Sequence, residues 1–314
     1  MIGTQLGMKI METPEFKTAF EPAHGRAVVA APDVLRVTAN NPGPFTFHGT
    51  NSYVAGHRSV VVIDPGPPDK AHLEALLGAI GGRDVSHILV THTHVDHSPL
   101  AARLKEITGA PVLAEGPHRP ARPLAIGEIN PLDASADHDF QPDIKLSHGD
   151  LVEAGDFTFE AVYTPGHTAN HMAFAIPAMG LLFSGDHVMA WATSIVAPPD
   201  GAMSDYMDSL DRLLVRPETF YLPGHGGPLT KAHEFVRALR AHRKMRETAI
   251  LTRVRSGDRT IAQIVRTIYK DTDPRLHGAA ALSVLAHMED LVASGRIVSG
   301  GPASLEGVYE PGPE

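Results

Sequence analysis

The segment Thr91-His92-Thr93-His94-Val95-Asp96-His97 places three imidazoles and a carboxylate within six residues. Neutral imidazole binds a divalent metal without adding charge, and aspartate partly neutralises the ion and can orient a water beside it. The preceding Val85 and Ile88-Leu89-Val90 read as a buried strand. Ser98-Pro99 supplies a helix N-cap followed by proline at the first helical position. The ligand-type residues therefore sit on a strand-to-helix loop. On such a loop His92 and His94 can face one ion while Asp96 and His97 face another.

Three later segments repeat the pattern of an apolar run ending in a Gly-containing turn. Phe157 to Tyr163 alternates like a strand and runs into Thr164-Pro165-Gly166-His167-Thr168-Ala169-Asn170-His171; Leu181-Leu182-Phe183 leads into Ser184-Gly185-Asp186-His187; Phe220-Tyr221-Leu222 leads into Pro223-Gly224-His225-Gly226-Gly227. One such turn is weak evidence. Three after an HxHxDH segment are strong together.

The series HxHxDH, GHT, SGD and PGHG, spread over about Leu35 to Pro228, resembles the metallo-β-lactamase-fold hydrolase superfamily. The resemblance implies an α/β architecture, the four-layer αββα fold. It implies that His92, His94 and His167 hold one metal, that Asp96, His97 and His225 hold a second, and that Asp186 bridges them. It further implies that Asp64, ending Val60-Val61-Val62-Ile63-Asp64-Pro65-Gly66, orients a ligand histidine. His171, in the GHTxxH position, is expected beside the ligands rather than among them, and as a candidate proton donor to a leaving group. His187 reads as a core or turn histidine. The implied cofactors are two divalent metal ions, zinc first, with manganese or iron compatible with the same donors.

The resemblance narrows to the β-lactamase-like protein 2 branch through Asp205-Tyr206-Met207-Asp208-Ser209-Leu210 and the Arg/Lys-rich stretch after the PGHG turn. That branch carries a small C-terminal winged-helix-like domain. Here Thr260 to Lys270 and Arg275 to Ser294 show apolar residues at helical spacing, and Gly295-Arg296-Ile297-Val298 suits a turn and short strand. The expected division is a catalytic domain over 1–230 and a helical, winged-helix-like domain over 231–314. Residues 115–143, Pro-punctuated and without periodicity, depart from the branch and read as a solvated loop in preference to a lid.

Composition sets the limits. The chain of 314 residues, 43% hydrophobic and 20% charged, suits one large and one small globular domain, and no apolar run reaches the length of a membrane span. Met1-Ile2-Gly3, with Glu12 and Glu15 following, lacks the basic-then-apolar order of a secretory signal, so the expected location is cytoplasmic. The absence of cysteine excludes disulfides, thiol nucleophiles and thiolate zinc sites. Antibiotic-degrading members of the family commonly use a cysteine where Asp186 stands, so β-lactams are not the expected main substrate.

Two cations about 3.5 to 4 Å apart share a water whose pKa falls toward about 7, providing hydroxide at neutral pH. The expected function is thus a metal-dependent hydrolase directing a metal-bridging hydroxide at a small acyl substrate: a thioester, lactone or β-lactam-like compound. The alternative is a single-strand-selective endoribonuclease. Net charge is -9, yet residues 231–300 hold 13 Lys+Arg against 7 Asp+Glu, leaving 14 against 29 elsewhere. Arg237, Arg240, Arg243, Lys244, Arg246, Arg253 and Arg255 lie on one predicted helix, readable as a phosphate-tracking surface or as an amphipathic connector. A second alternative is a ligand sensor whose tail binds nucleic acid, a reading that an incomplete ligand set would have favoured. Tyr206, Asn170 and Trp191 are expected near the pocket or in packing roles.

Overall fold

The computed structural model describes residues 13–313, so the reading of Met1 to Glu12 lies outside the described residues. Seven strands form the first sheet in sequence order: β1 (Ala27–Ala31), β2 (Val34–Thr38), β3 (Asn51–Ala55), β4 (Ser59–Ile63), β5 (Asp84–Leu89), β6 (Val112–Ala114) and β7 (Ile144–Lys145). Helix α1 (Lys70–Ile80) crosses between β4 and β5, and α2 (Leu100–Thr108) between β5 and β6. These helical crossovers make the pairs β4–β5 and β5–β6 parallel, whereas β1 to β4 pair antiparallel.

The second sheet has the order β12-β11-β10-β9-β8, from β8 (Leu151–Ala154), β9 (Phe157–Tyr163), β10 (Met172–Ile176), β11 (Leu181–Gly185) and β12 (Phe220–Pro223). Helix α3 (Met203–Leu214) carries the chain from β11 to its parallel neighbour β12.

The central strands are apolar on both faces because each face has a cover. On β4, Val61 and Ile63 turn into the core between the sheets, while Val60 and Val62 meet the layer holding Leu76 of α1 and Leu104 of α2. On β10, Phe174 packs between the sheets with Phe159 and Phe183, while Ala173 and Ala175 face Leu210 and Leu213 of α3. Each fully buried Phe or Leu contributes about 1.5–3 kcal/mol. The stack is helix, sheet, sheet, helix, so the four-layer αββα expectation describes the molecule.

Beyond β12 come α4 (Ala232–Arg255), α5 (Ile261–Ile268), α6 (His277–Ala293) and the hairpin of β13 (Ile297–Ser299) with β14 (Tyr309–Pro311). Thr260 and Gln263 form a reciprocal capping box that starts α5. Helix α4 serves two cores: Phe235, Val236 and Leu239 pack on the second sheet's outer face, while Ile250, Leu251 and Val254 enter the tail core with Leu285 and Met288. The second sheet's outer core and the tail core are therefore joined by one continuous helix.

Two local expectations need correction. Ser98 does not cap α2. The helix begins after Pro99 with no side-chain cap, and the Ser98 hydroxyl donates to Asp137 Oδ2 at 2.6 Å. Residues 115–143 are not simply a solvated loop. Arg122 pairs with Glu128 and with Glu289 of α6, Asn130 bonds Asp200, and the Val95 N–H donates to Ser135 O at 2.9 Å. The segment is tied to the His/Asp loop at one end and to the tail at the other.

Candidate metal centre

Parallel pairing decides where the chemistry gathers. Parallel neighbours β4–β5 and β11–β12 end at the same side of the molecule, so Asp64, the His92–His97 loop, Asp186 and His225 all emerge there. The turn from β9 to β10 brings His167 and His171 to the same place. At the entrance to that turn Gly166 has φ 135°, and a Cβ there would lie 2.4 Å from the Tyr206 Cα.

Three overlapping groups of ligand-type atoms result: His92, His94 and His167; Asp96, His97 and His225; His92, His97 and Asp186. In the first, His94 Nδ1 is 3.0 Å from His92 Nε2 and 3.1 Å from His167 Nε2. In the second, His97 Nε2 lies 3.4 Å from His225 Nε2, and each is 3.3 Å from Asp96 Oδ2. Asp186 reaches both, with Oδ2 3.3 Å from His225 Nε2 and 3.8 Å from His167 Nε2, and Oδ1 3.5 Å from His97 Nε2.

These residues fit divalent ions. Metal–nitrogen bonds of about 2.0–2.1 Å at tetrahedral angles put ligand nitrogens about 3.3 Å apart. Outer hydrogen bonds turn the ring lone pairs inward: His167 Nδ1 donates to Ile195 O at 2.7 Å, His225 Nδ1 to Gly49 O at 3.2 Å, and His97 Nδ1 to Asp64 Oδ2 at 3.0 Å. Asp186 Oδ1 is buried with no hydrogen-bond partner, an arrangement that a cation relieves. A Cβ on Gly224 would stand 2.4 Å from that oxygen and 2.7 Å from His97 Cε1, so only glycine fits beside it.

The electrostatics agree. Burial pulls His225 down, but Asp186 and Asp96 outweigh it and push the imidazole up to about 10. Burial and neighbouring imidazoles hold His92 well below the ordinary value, and His94 is lowered to about 3. The two carboxylates, Asp186 buried and Asp96 partly so, call for positive charge at one end, while the other end offers neutral imidazole.

Asp64 sits at φ 49°, a left-handed conformation uncommon outside glycine. Its carboxylate accepts from the Thr91 N–H and the Thr91 hydroxyl, each at 2.7 Å, as well as from His97. His171 lies behind His92, fully buried. Its Nε2 accepts from the Asp186 N–H at 3.2 Å, so its Nδ1 is the proton-bearing nitrogen toward Thr164 Oγ1 at 2.9 Å. Burial, then His187, lowers it far below the usual range. Both nitrogens are engaged, and no open face remains for donating a proton to a leaving group. His187 is a core residue packed against Tyr206 with the rings tilted, 4.6 Å between centroids.

Several contributors escape sequence reading. Thr50 Oγ1 donates to Asp96 Oδ2 at 2.7 Å, and Asn51 Nδ2 donates to Pro223 O and Gly226 O, fastening the His225 turn to β3. Spacing gives no signal for them, because their partners lie 46 or more positions away. Asn170 braces Thr93 and the Gly116 carbonyl, Tyr206 packs internally, and Trp191 alone of the three lines a cavity.

Residues 45–225 match the model of the Metallo-beta-lactamase superfamily. The chain belongs to that superfamily. Residues 260–303 match the Beta-lactamase associated winged helix domain, which places the superfamily's winged-helix appendage on α5, α6 and β13. A Beta-lactamase-like protein 2 homolog from Drosophila melanogaster is 31% identical over 296 residues, 88% of this chain and 94% of its own. An atrochrysone carboxyl ACP thioesterase from Cryptosporiopsis is 27% identical, covering 77% of this chain and 73% of its own. Among solved structures, a metallo-beta-lactamase family protein from Thermus thermophilus superposes with a TM-score of 0.72 at 25% identity, over 90% of this chain and all of that one. Superfamily membership and the buried His/Asp clusters are together consistent with a metal-dependent hydrolase. Among the described residues no helix is long and apolar enough to cross a membrane.

Proposed function

We propose that this superfamily member is a hydrolase of small acyl compounds, thioesters foremost, that works with two divalent ions, zinc the first choice. His92, His94 and His167 would hold one ion, Asp96, His97 and His225 the other, with Asp186 between them. When bound, such ions supply Lewis acidity toward a carbonyl oxygen and acidify water to near neutrality.

The rest is the work of the chain's own groups. Asp96 is the most open of these side chains, 19% exposed, and the Thr50 hydroxyl fixes its Oδ2. We assign it to orient the attacking water and accept its proton. Asp64 and Thr91 hold His97 in one tautomer. His171 is assigned a positioning role, supporting the Asp186 backbone. With both His171 nitrogens engaged, a thioester suits the site, because a thiol with pKa about 8.5 leaves as its anion without strong acid assistance. An alkoxide or amine has greater need of it. A thioesterase among the relatives supports the same choice.

The observation that carries the choice of small acyl substrate over RNA is the fate of the basic helix. Arg240, Lys244 and Arg253 pair with Asp211, Glu247 and Asp258, and Arg243 is buried with its guanidinium donating to Ser194 O. Arg237, Arg246 and Arg255 remain without a carboxylate partner among the described residues. At 100° and 1.5 Å per residue, Arg237 and Arg255 share a face about 27 Å apart, with Arg246 opposite. That is no continuous phosphate track. Arg243 in particular is buried, which corrects its expected place on an exposed strand-tracking surface. The sensor reading loses support because every expected ligand position is filled.

The test is parallel assay of a short-chain acyl thioester and an end-labelled single-stranded RNA by zinc- or manganese-loaded protein, with Asp96→Ala purified identically. Thioester turnover that the variant loses and that salt leaves unchanged supports the proposal. RNA cleavage that the variant loses and that falls steeply with salt, without thioester turnover, overturns it.

A further inference from the structure

Between the catalytic unit and the tail lies a cavity of about 380 Å³, walled on one side by Trp191 to Ile195 and Phe45, and on the other by α4, Tyr269 and the start of α6. It adjoins the metal centre directly, since the Ile195 carbonyl accepts from His167 at 2.7 Å. No acidic side chain lines it.

Four lining side chains keep a buried nitrogen with no partner: Trp191 Nε1, His242 Nδ1, Arg243 Nε and Arg246 Nε. Three of these are obligatory donors. Arg243 is 3% exposed and spends its other nitrogens on Ser194 O and Ser283 Oγ. Arg246 makes no hydrogen bond or ion pair among the described residues and stacks on Tyr269, 4.7 Å from the ring centroid. Burial, then Arg243 and Arg246, lowers His242 to about 4, as expected where cations meet without a counter-charge. Buried donors without acceptors are rare in folded proteins and mark a place where a partner belongs.

We infer that this interdomain cavity is the subsite for an anionic group on the substrate, a carboxylate or phosphate carried on an apolar chain. Arg246 is its unpaired cation, Arg243 its fixed donor, and Trp191 with Tyr269 provides the apolar walls. The inference rests on the acyl-hydrolase reading only for naming the substrate as an acyl compound. The anion has two possible sources, a carboxylate at the far end of the acyl group or a phosphate on the leaving thiol. The tail thereby becomes part of the substrate site, and its charge acts locally rather than along a strand.

Trp191 is the sole tryptophan of the chain, so its emission reports on the cavity directly. Metal-loaded protein is titrated with hexanoate, hexyl phosphate and neutral hexanamide, with calorimetry in parallel. The expected result is saturable binding of at least one anion at least tenfold tighter than hexanamide, with the tighter anion identifying its source. Arg246→Gln should collapse that preference toward unity, and Arg246→Lys, which keeps the charge, should retain part of it. The preference should persist in His94→Ala, because the cavity rather than the metal centre holds the anion. Equal affinity for hexanamide, no saturable binding by emission or heat, an unchanged preference in Arg246→Gln, or its loss in His94→Ala would each overturn the inference. Anion binding with no thioester turnover would instead sink the hydrolase reading and leave the subsite standing.

Discussion

At the scale of single residues, the site divides into groups that could hold a cation and groups that hold those groups still. His94 faces both His92 and His167 across about 3 Å, so His94→Ala should lose bound metal and hydrolysis together, measured by metal analysis beside turnover. Asp96→Ala is expected to differ, lowering kcat by 10²-fold or more with little change in melting temperature, since the carboxylate is partly open and its proton-transfer role is worth about 10²–10⁴-fold. Gly224→Ala tests the cradle: its Cβ would strike Asp186 Oδ1 and His97, so metal occupancy should fall severalfold while the remote tail stays folded. The clustering of these histidines and aspartates was legible in the sequence because ligand-type residues at strand ends are a restricted combination, and that combination recurs four times. Thr50, Asn51 and the Ser194–Ile195 carbonyls were not legible. Hydroxyls, amides and main-chain oxygens are everywhere in a sequence, and only the fold selects the ones that brace the site. His171 shows the converse, a residue of reactive type that burial and two hydrogen bonds reserve for support.

At the scale of elements, the strands were the most readable part, since β9 spans Phe157–Tyr163 as its alternation predicts. The surprise lies in α4. Its composition advertises a charged surface, yet its cations are mostly spent on neighbours, and its apolar residues divide between two cores. Charge counts cannot reveal which side chains have found partners across the fold. Arg243 lies 5.1 Å from the Tyr206 ring centroid and donates to the Ser194 carbonyl, next to the Ile195 carbonyl that aligns His167. Replacing Arg243 by Ala should therefore cost about 2–3 kcal/mol through lost charged hydrogen bonds and packing, read as a fall in denaturation midpoint. Reversing exposed Lys244, paired only with Glu247, should change stability by less than about 1 kcal/mol and leave thioester turnover intact.

At the scale of the whole molecule, stability should depend on pH through buried imidazoles outside the candidate metal centre as well as within it. Burial lowers His72 to about 4 and His287 to about 3, against an ordinary value of 6.5. A histidine whose folded pKa is depressed binds more protons when unfolded, so its stabilising effect is complete above pH 6.5 and is lost as pH falls toward the folded value. Each should contribute a loss of order 3 kcal/mol by pH 4, visible as a denaturation midpoint that declines from pH 7 to 4; His287→Gln should flatten the decline if it folds, and a midpoint constant over that range would contradict the burial of these rings. The two matched regions meet here: the superfamily domain carries the candidate ligands, and the winged-helix appendage closes one wall of the cavity beside them.

The central claim is that chemistry here depends on metal held by these histidines and aspartates and acts on an acyl bond. The most direct measurement is a stepwise chelator titration in which bound metal and thioester hydrolysis are read from the same samples, followed by restoration with zinc. The rate should fall with metal occupancy to nothing and return with it. Hydrolysis that persists after the metal is gone would contradict the claim.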